Sequence, residues 1–218
     1  MHRTKTTEDY LKAICMLEGG GERVSTSALA SRLGLADASI TEMLKKLSHQ
    51  GLVRYERYRG VELTLPGRKL ALKILRRHRL WEMFLVKFLG FSWDQIHEEA
   101  ERLEHVTSDL LEQQLDRALG HPNADPHGDP IPTVDGVLRD HELLRLSDVS
   151  PGASVLVTRV RDGDPEILRY MALLGIGLRK EITIKEAIDF DGSLRVQIGS
   201  SEQFISARLA ESIYVECL

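Results

Sequence analysis

The chain has 218 residues, 42% of them apolar and 28% charged, with a formal net charge of −4 and two cysteines. That length suffices for two or three small domains with cores of their own, and no apolar run approaches the ~20 residues that cross a bilayer. Cys15 and Cys217, far apart, supply neither a disulfide framework nor a cysteine-rich zinc site. The N-terminal MHRTKTTEDYLKAI lacks the apolar stretch of a secretory signal, so a cytoplasmic protein is expected. Charge is unevenly placed: residues 1–80 carry 16 Lys/Arg against 8 Asp/Glu, and residues 81–218 carry 13 against 25. A basic beginning suits a polyanionic partner, and an acidic remainder gathers cations.

Thr6-Thr7-Glu8-Asp9 offers capping and dipole-favourable residues ahead of the periodic apolar set Tyr10, Leu11, Ile14 and Leu17, which predicts a first helix over about 7–18, stopped by glycines. Ser25 or Thr26 caps a short second helix with Leu29, Ala30 and Leu33 inward, ended by Gly34, and Asp37 caps a third with Ile40, Leu44 and Leu47 inward. Two short helices joined by a tight glycine-containing turn are helix-turn-helix syntax. LVRYERYRGVELTL then alternates apolar and polar residues around Tyr58-Arg59-Gly60, the pattern of a hairpin, so a wing follows. Thr64 and Pro66 open a long helix over roughly 66–89, and Ser92 with Gln95 makes a capping box for the next. Thr107-Ser108-Asp109 breaks the chain and starts a helix over about 109–119, closed by Gly120. HPNADPHGDPIPT, residues 121–133, has four prolines and no periodicity and reads as an extended linker. Beyond it ASVLVTRV, EITIKEAI, SLRVQIG and SIYVECL are short β-branched runs, with PEILRYMALLG between them as one helix. The expected fold is therefore mainly α with a small, partly open C-terminal β-barrel, divided as 1–72, 73–138 and 139–218.

A winged helix-turn-helix lays its second helix in the major groove. Ala36, Ala38, Ser39, Thr41 and Glu42 stand near the start of that helix, where side chains approach base edges. Lys45 and Lys46 one turn later, and Arg57, Tyr58 and Arg59 at the wing tip, are candidates for phosphate contacts, with Arg3 and Lys5 as additional ones. A second pattern is HEEAERLEHV, residues 97–106. At about 100° per residue a helix would place His97, Glu101, Glu104 and His105 on one narrow face, where imidazole and carboxylate converge on a cation. His78 and Glu82 stand one turn apart on the preceding long helix. Acidic helices with occasional histidines are also ordinary solvated surfaces, so spacing alone leaves metal binding open.

TTEDYLKAI, the helix-turn-helix, YERYRGVELT, RRHRLWE, HEEAERLEHV and GDPIP, in this order, resemble the diphtheria toxin repressor and manganese transport regulator family of metal-activated bacterial repressors. The likeness is strong from residue 4 to about 135 and weaker beyond, where long members also end in a small SH3-like (FeoA-like) barrel. Its specific part is H-x(3)-E-x(2)-E-H together with H-x(3)-E. The resemblance implies a homodimer that binds double-stranded DNA, no catalytic residues, no membrane and no small organic substrate. It carries a primary metal site onto Asp9, Glu101, Glu104 and His105 and an ancillary site onto His78, Glu82 and His97. Ligands from the barrel match Asp164 and Glu166 loosely. Where iron-responsive members place methionine and cysteine, this chain has the hard oxygen donors Asp9 and Glu101, which favours Mn(II) over Fe(II). Short manganese-responsive members carry a glutamate one turn after the aspartate. Here that residue is Lys12, so two separated sites are expected rather than a close pair of ions.

The implied mechanism is a switch: without metal Asp9, Glu101 and Glu104 repel one another, and a cation replaces repulsion with attraction. A dimer built on Leu85, Phe88, Leu89, Phe91, Leu110, Leu111 and Leu115 would present two reading helices ~34 Å apart to a pseudo-palindromic operator of metal-uptake genes. The alternatives are an Fe(II)-responsive repressor of the same family and a winged-helix regulator of a small organic ligand. A di-metal carboxylate oxidase is disfavoured because the sequence has no Glu-x-x-His pair.

Overall fold

The computed structural model describes residues 4–18, 23–139, 142–161 and 163–218, so the expected backbone contact from Arg3 lies outside the described residues. Helix α1, Lys5–Leu17, begins two residues before the expected start because Thr4, rather than Thr6 or Thr7, is its cap, accepting from Thr7 N. Helix α2, Thr26–Leu33, is capped by Ser25 and ends at left-handed Gly34. Helix α3, Asp37–His49, differs at its start. Ala36 is the cap and makes no side-chain bond, while Asp37 is the first helical residue, where its charge suits the positive end of the helix. Strands β1, Val53–Glu56, and β2, Gly60–Leu63, pair antiparallel, Val53 opposite Leu63 and Glu56 opposite Gly60. Tyr10, Leu11, Ile14, Leu29, Ile40, Leu44, Leu47, Val53 and Val61 form one buried core that also takes Leu70, Ala71 and Ile74. These last three lie on α4, Leu65–Leu89.

Helix α5 spans only Ile96–Leu103, and α6 spans Asp109–Leu119. Both ends of α5 fall short of the expectation. Ser92 and Gln95 close a turn, Gln95 N to Ser92 O at 3.0 Å, rather than a capping box. At the other end Thr107 Oγ1 donates to Leu103 O at 2.7 Å and Val106 N bonds the same carbonyl, so the chain turns at residues 104–106. Glu104 and His105 therefore leave the helix, and the single-face projection through residue 106 fails. Leu85 and Leu115 are buried in the chain's own core, whereas Phe88, Leu89, Leu110 and Leu111 are exposed; the first two are thus no part of any dimer surface.

The chain divides into two compact units: residues 1–78, 101–114 and 132–138 form one, and residues 79–100, 115–131 and 139–218 the other. In the second, β3 (Leu144–Arg145), β4 (Ser154–Val160), β5 (Glu181–Ala187), β6 (Leu194–Ile198), β7 (Ser201–Ile205) and β8 (Ile213–Cys217) form an antiparallel sheet in the order β3-β8-β4-β5-β6-β7. Bulges at Val157/Arg159 and Ile184/Glu186 curl it around Val155, Val157, Ile182, Ile184, Val196 and Val215. Helix α7, Pro165–Leu173, adds Leu168 and Met171 to that core. The 121–133 stretch forms no helix, yet neither is it a free linker. Val160 N donates to His127 O at 2.8 Å, and Gly128, at φ +90°, lies so close to β4 that an added Cβ would sit 2.1 Å from Thr158 O. The prolines forbid helix, and backbone pairing with β4 satisfies the loop instead.

Candidate metal centres

The first cluster is built from one face of α1 and the turn after α5. Asp9 and Lys12, three residues apart, share a face of α1 with Glu8 preceding them. From the turn come Glu104, fully buried, and His105. One donor atom from each of Asp9, Glu104 and His105 lies within 4.8 Å of the others. His105 Nδ1 donates to Glu8 Oε2 at 2.7 Å, which leaves Nε2 facing Asp9 Oδ1 at 2.8 Å and Glu104 Oε1 at 3.4 Å. Asp9 Oδ1 and His105 Nε2 are buried and face each other as an ion pair at 2.8 Å, with no hydrogen bond of full geometry to either atom. Burial opposes charge on His105, but the carboxylates of Asp9 and Glu8 and the charge of Glu104 outweigh it and hold the imidazole up at about 9. Two buried, mutually facing ligand atoms with no hydrogen bond are what a cation site presents when its ligands are held from behind.

Glu101 joins this cluster through Lys12, whose ammonium contacts Glu101 and, at 2.6 Å, Glu104 Oε1. His78 Nδ1 donates to Glu104 Oε2 at 2.5 Å and stands 3.5 Å from Glu101 Oε2. Lys12 and the imidazoles thus bring positive charge against these carboxylates. Composition and spacing did not reveal Glu8, because nothing in a sequence says which neighbour an imidazole will lean on.

The second cluster is Glu82 of α4 with Asp125 and His127 of the docked loop. All three are buried, with ligand atoms within 4.8 Å of one another. His127 Nε2 donates to Trp93 O at 2.9 Å; this fixes the tautomer and leaves buried Nδ1 with no hydrogen-bond partner. Asp125 Oδ1 accepts from His127 N at 2.8 Å and Asp129 N at 3.0 Å, shaping the loop. Burial, with the charges of Glu82 and Asp129, pushes the Asp125 carboxyl well above the usual range although Arg79 opposes it. A cation would reverse that balance. Glu82 also lies 3.4 Å from His97, which is half exposed. Nothing in the sequence gives Asp125 or His127 a role, because D-P-H reads as loop; the signal was present in two ligand-type residues flanking a proline.

Asp164 caps α7 through Glu166 N at 3.0 Å and pairs with Arg208 at 2.8 Å, and Glu166 is exposed. On the reading head Ala36, Ala38, Ser39, Glu42, Lys45 and Lys46 are exposed along α3, with Thr41 partly so. At the wing tip Arg57 lies over the ring of Tyr58 at 4.9 Å, Tyr58 is 90% exposed, and Arg59 pairs with Glu56 at 3.3 Å.

A winged head whose first helix brings carboxylates to the imidazole and carboxylate of the turn after α5, in a chain that also holds a small β-sheet domain, defines a metal-dependent DNA-binding regulator. Comparison with known proteins agrees. Residues 2–61 match the family "Iron dependent repressor, N-terminal DNA binding domain", residues 64–133 "Iron dependent repressor, metal binding and dimerisation domain", and residues 144–217 the "FeoA domain". The diphtheria toxin repressor of Corynebacterium glutamicum is 36% identical over 97% of this chain and 96% of its own length. The iron-dependent repressor IdeR of Mycobacterium tuberculosis is 30% identical over the same shares. A solved manganese-dependent transcriptional repressor in complex with manganese is 40% identical, with a TM-score of 0.90 over 97% of this chain and all of that one. The chain belongs to the diphtheria toxin repressor and manganese transport regulator family of metal-dependent transcriptional repressors, DNA-binding proteins and not enzymes. No helix among the described residues is long and apolar enough to cross a membrane.

Proposed function

We propose that this chain is a cytoplasmic Mn(II)-responsive repressor of metal-uptake genes that binds a pseudo-palindromic operator as a homodimer. One ion is held by Asp9, Glu104 and His105, with Glu101 and His78 beside them, and a second by Glu82, Asp125 and His127 with His97 near. Asp164 and Glu166 are left out of the ligand sets because a helix cap and Arg208 occupy the first and the second faces solvent. The observation that carries this reading is the buried, hydrogen-bond-free pairing of Asp9 Oδ1 with His105 Nε2 beside Glu104. The donors are carboxylate oxygen and imidazole nitrogen without sulfur, which suits Mn(II), and the manganese-dependent relative supports the same metal. The iron-dependent relatives keep Fe(II) as the second reading.

When bound, the ion supplies a fixed double positive charge between α1 and the turn after α5. Asp9 ties that charge to the reading head, Glu8 keeps the His105 ring turned toward it, and Ala36, Ala38, Ser39, Thr41 and Glu42 face bases while Lys45, Lys46, Arg57, Tyr58 and Arg59 hold the backbone. The test is a DNA-binding titration with promoter DNA of metal-uptake genes, first in chelator and then with Mn(II), Fe(II) and Zn(II) separately. Binding is expected only with metal and at the lowest free concentration with Mn(II) relative to each metal's availability, and Asp9→Asn should abolish the stimulation. Equal binding in chelator overturns the switch.

A further inference from the structure

Lys12 is the residue of the first cluster that, while charged, has only donors to offer and so cannot ligate a metal. Its side chain is only 8% exposed, and its ammonium rests on Glu101 and on Glu104 Oε1, 2.6 Å away. Glu104 Oε1 is also the oxygen that faces His105 Nε2, at 3.4 Å. The ammonium and any ion seated among Asp9, Glu104 and His105 thus share one carboxylate oxygen. The other oxygen, Oε2, is taken by His78 at 2.5 Å, so Glu104 cannot swing a second lone-pair face toward the ion without giving up that bond. A buried ammonium is costly to leave unpaired, and Lys12 holds two carboxylates to meet that cost. An entering dication meets this fixed positive charge at short range in a partly desolvated site, where like charges interact strongly.

We propose that Lys12 is an internal cation competing with the divalent ion for Glu104 Oε1, and that it thereby sets the metal concentration at which the protein responds. It assembles the centre in the absence of metal and weakens the centre's hold on metal, so one residue supplies both preorganisation and a raised threshold. The chemical class of its competitor is a small divalent cation; the inference rests on the first centre being a metal site, as proposed above.

The experiment measures Mn(II) binding to the full-length chain by calorimetry, for wild type, Lys12→Met and Asp9→Asn. The binding event lost in Asp9→Asn identifies the first centre. In Lys12→Met that event is expected to tighten by about tenfold or more, since a like charge has been removed at contact range. Thermal unfolding supplies a second readout that survives destabilisation. Lys12→Met should melt below wild type without metal, where Glu101 and Glu104 lose their counter-charge, and gain more than wild type from saturating Mn(II). Equal or weaker first-centre binding in Lys12→Met, or a smaller metal-induced gain in melting temperature, overturns the role of Lys12. Failure of wild type and Asp9→Asn to differ overturns the first centre itself.

Discussion

His105 shows how a side chain is oriented by what stands behind it. Its raised pKa, about 9 against an ordinary 6.5, has a consequence for the metal-free protein. Because the folded value lies above the unfolded one, the ion pairs of His105 contribute stability fully below pH ~6.5, and that contribution is lost as pH rises through about 9. In chelator, the melting-temperature difference between wild type and His105→Gln should therefore be largest near pH 6 and shrink toward zero by pH 10; a difference independent of pH would contradict the assignment. At this scale the sequence was legible in part. Asp9, Glu104 and His105 stand out by residue type and by resemblance, and they do meet. Lys12 stands out by resemblance, as the base where short manganese-responsive members carry a glutamate, and it pairs with Glu101 and Glu104; Glu8 does not stand out, since an acid on an exposed-looking helix resembles any solvated residue until the helix is packed. Asp125 and His127 were hidden for a different reason: their roles depend on a loop folding back, and proline-rich spacing says only that it is not helical.

Among the elements, the glycine stops and Ser/Thr caps marked α2, α4 and α6 closely, because those signals act within one turn. Helix α5 was overestimated at both ends, since Ser92 and Thr107 spend their polar groups on turns rather than on helix extension. The short strands β3 and β7 were not foreseen: Leu144–Arg145 has too few residues to show a period, and Ser201–Ile205 begins with polar residues whose pairing is set by β6. The 125–130 loop makes a close backbone approach to β4. Gly128→Ala would combine a left-handed backbone with a Cβ 2.1 Å from Thr158 O, and should cost on the order of 2–3 kcal/mol in denaturant unfolding. It should also weaken the metal event that depends on Glu82, while the event that depends on Asp9 persists.

For the molecule as a whole, a charge gradient and a change of period led to an expected division into three parts. The structure forms two compact units, a division the sequence does not display because residues distant in it share a unit. Assembly is a property of this scale. Leu110 on α6 is 67% exposed, an apolar side chain in search of cover within the segment that matches a dimerisation domain. Leu110→Glu is expected to sediment as a monomer and to lose operator binding at saturating Mn(II) while still binding the metal; a stable dimer in that variant would place the interface elsewhere. Helix α1 carries the last consequence. Tyr10, Leu11 and Ile14 lie in the core of the reading head, and Glu8, Asp9 and Lys12 line the first centre, all within thirteen residues. A single rigid rod thus has one side embedded in the reader and the other in the sensor. No joint separates them, so on the proposed reading any shift of the carboxylate that greets an ion is already a shift of the surface that greets DNA.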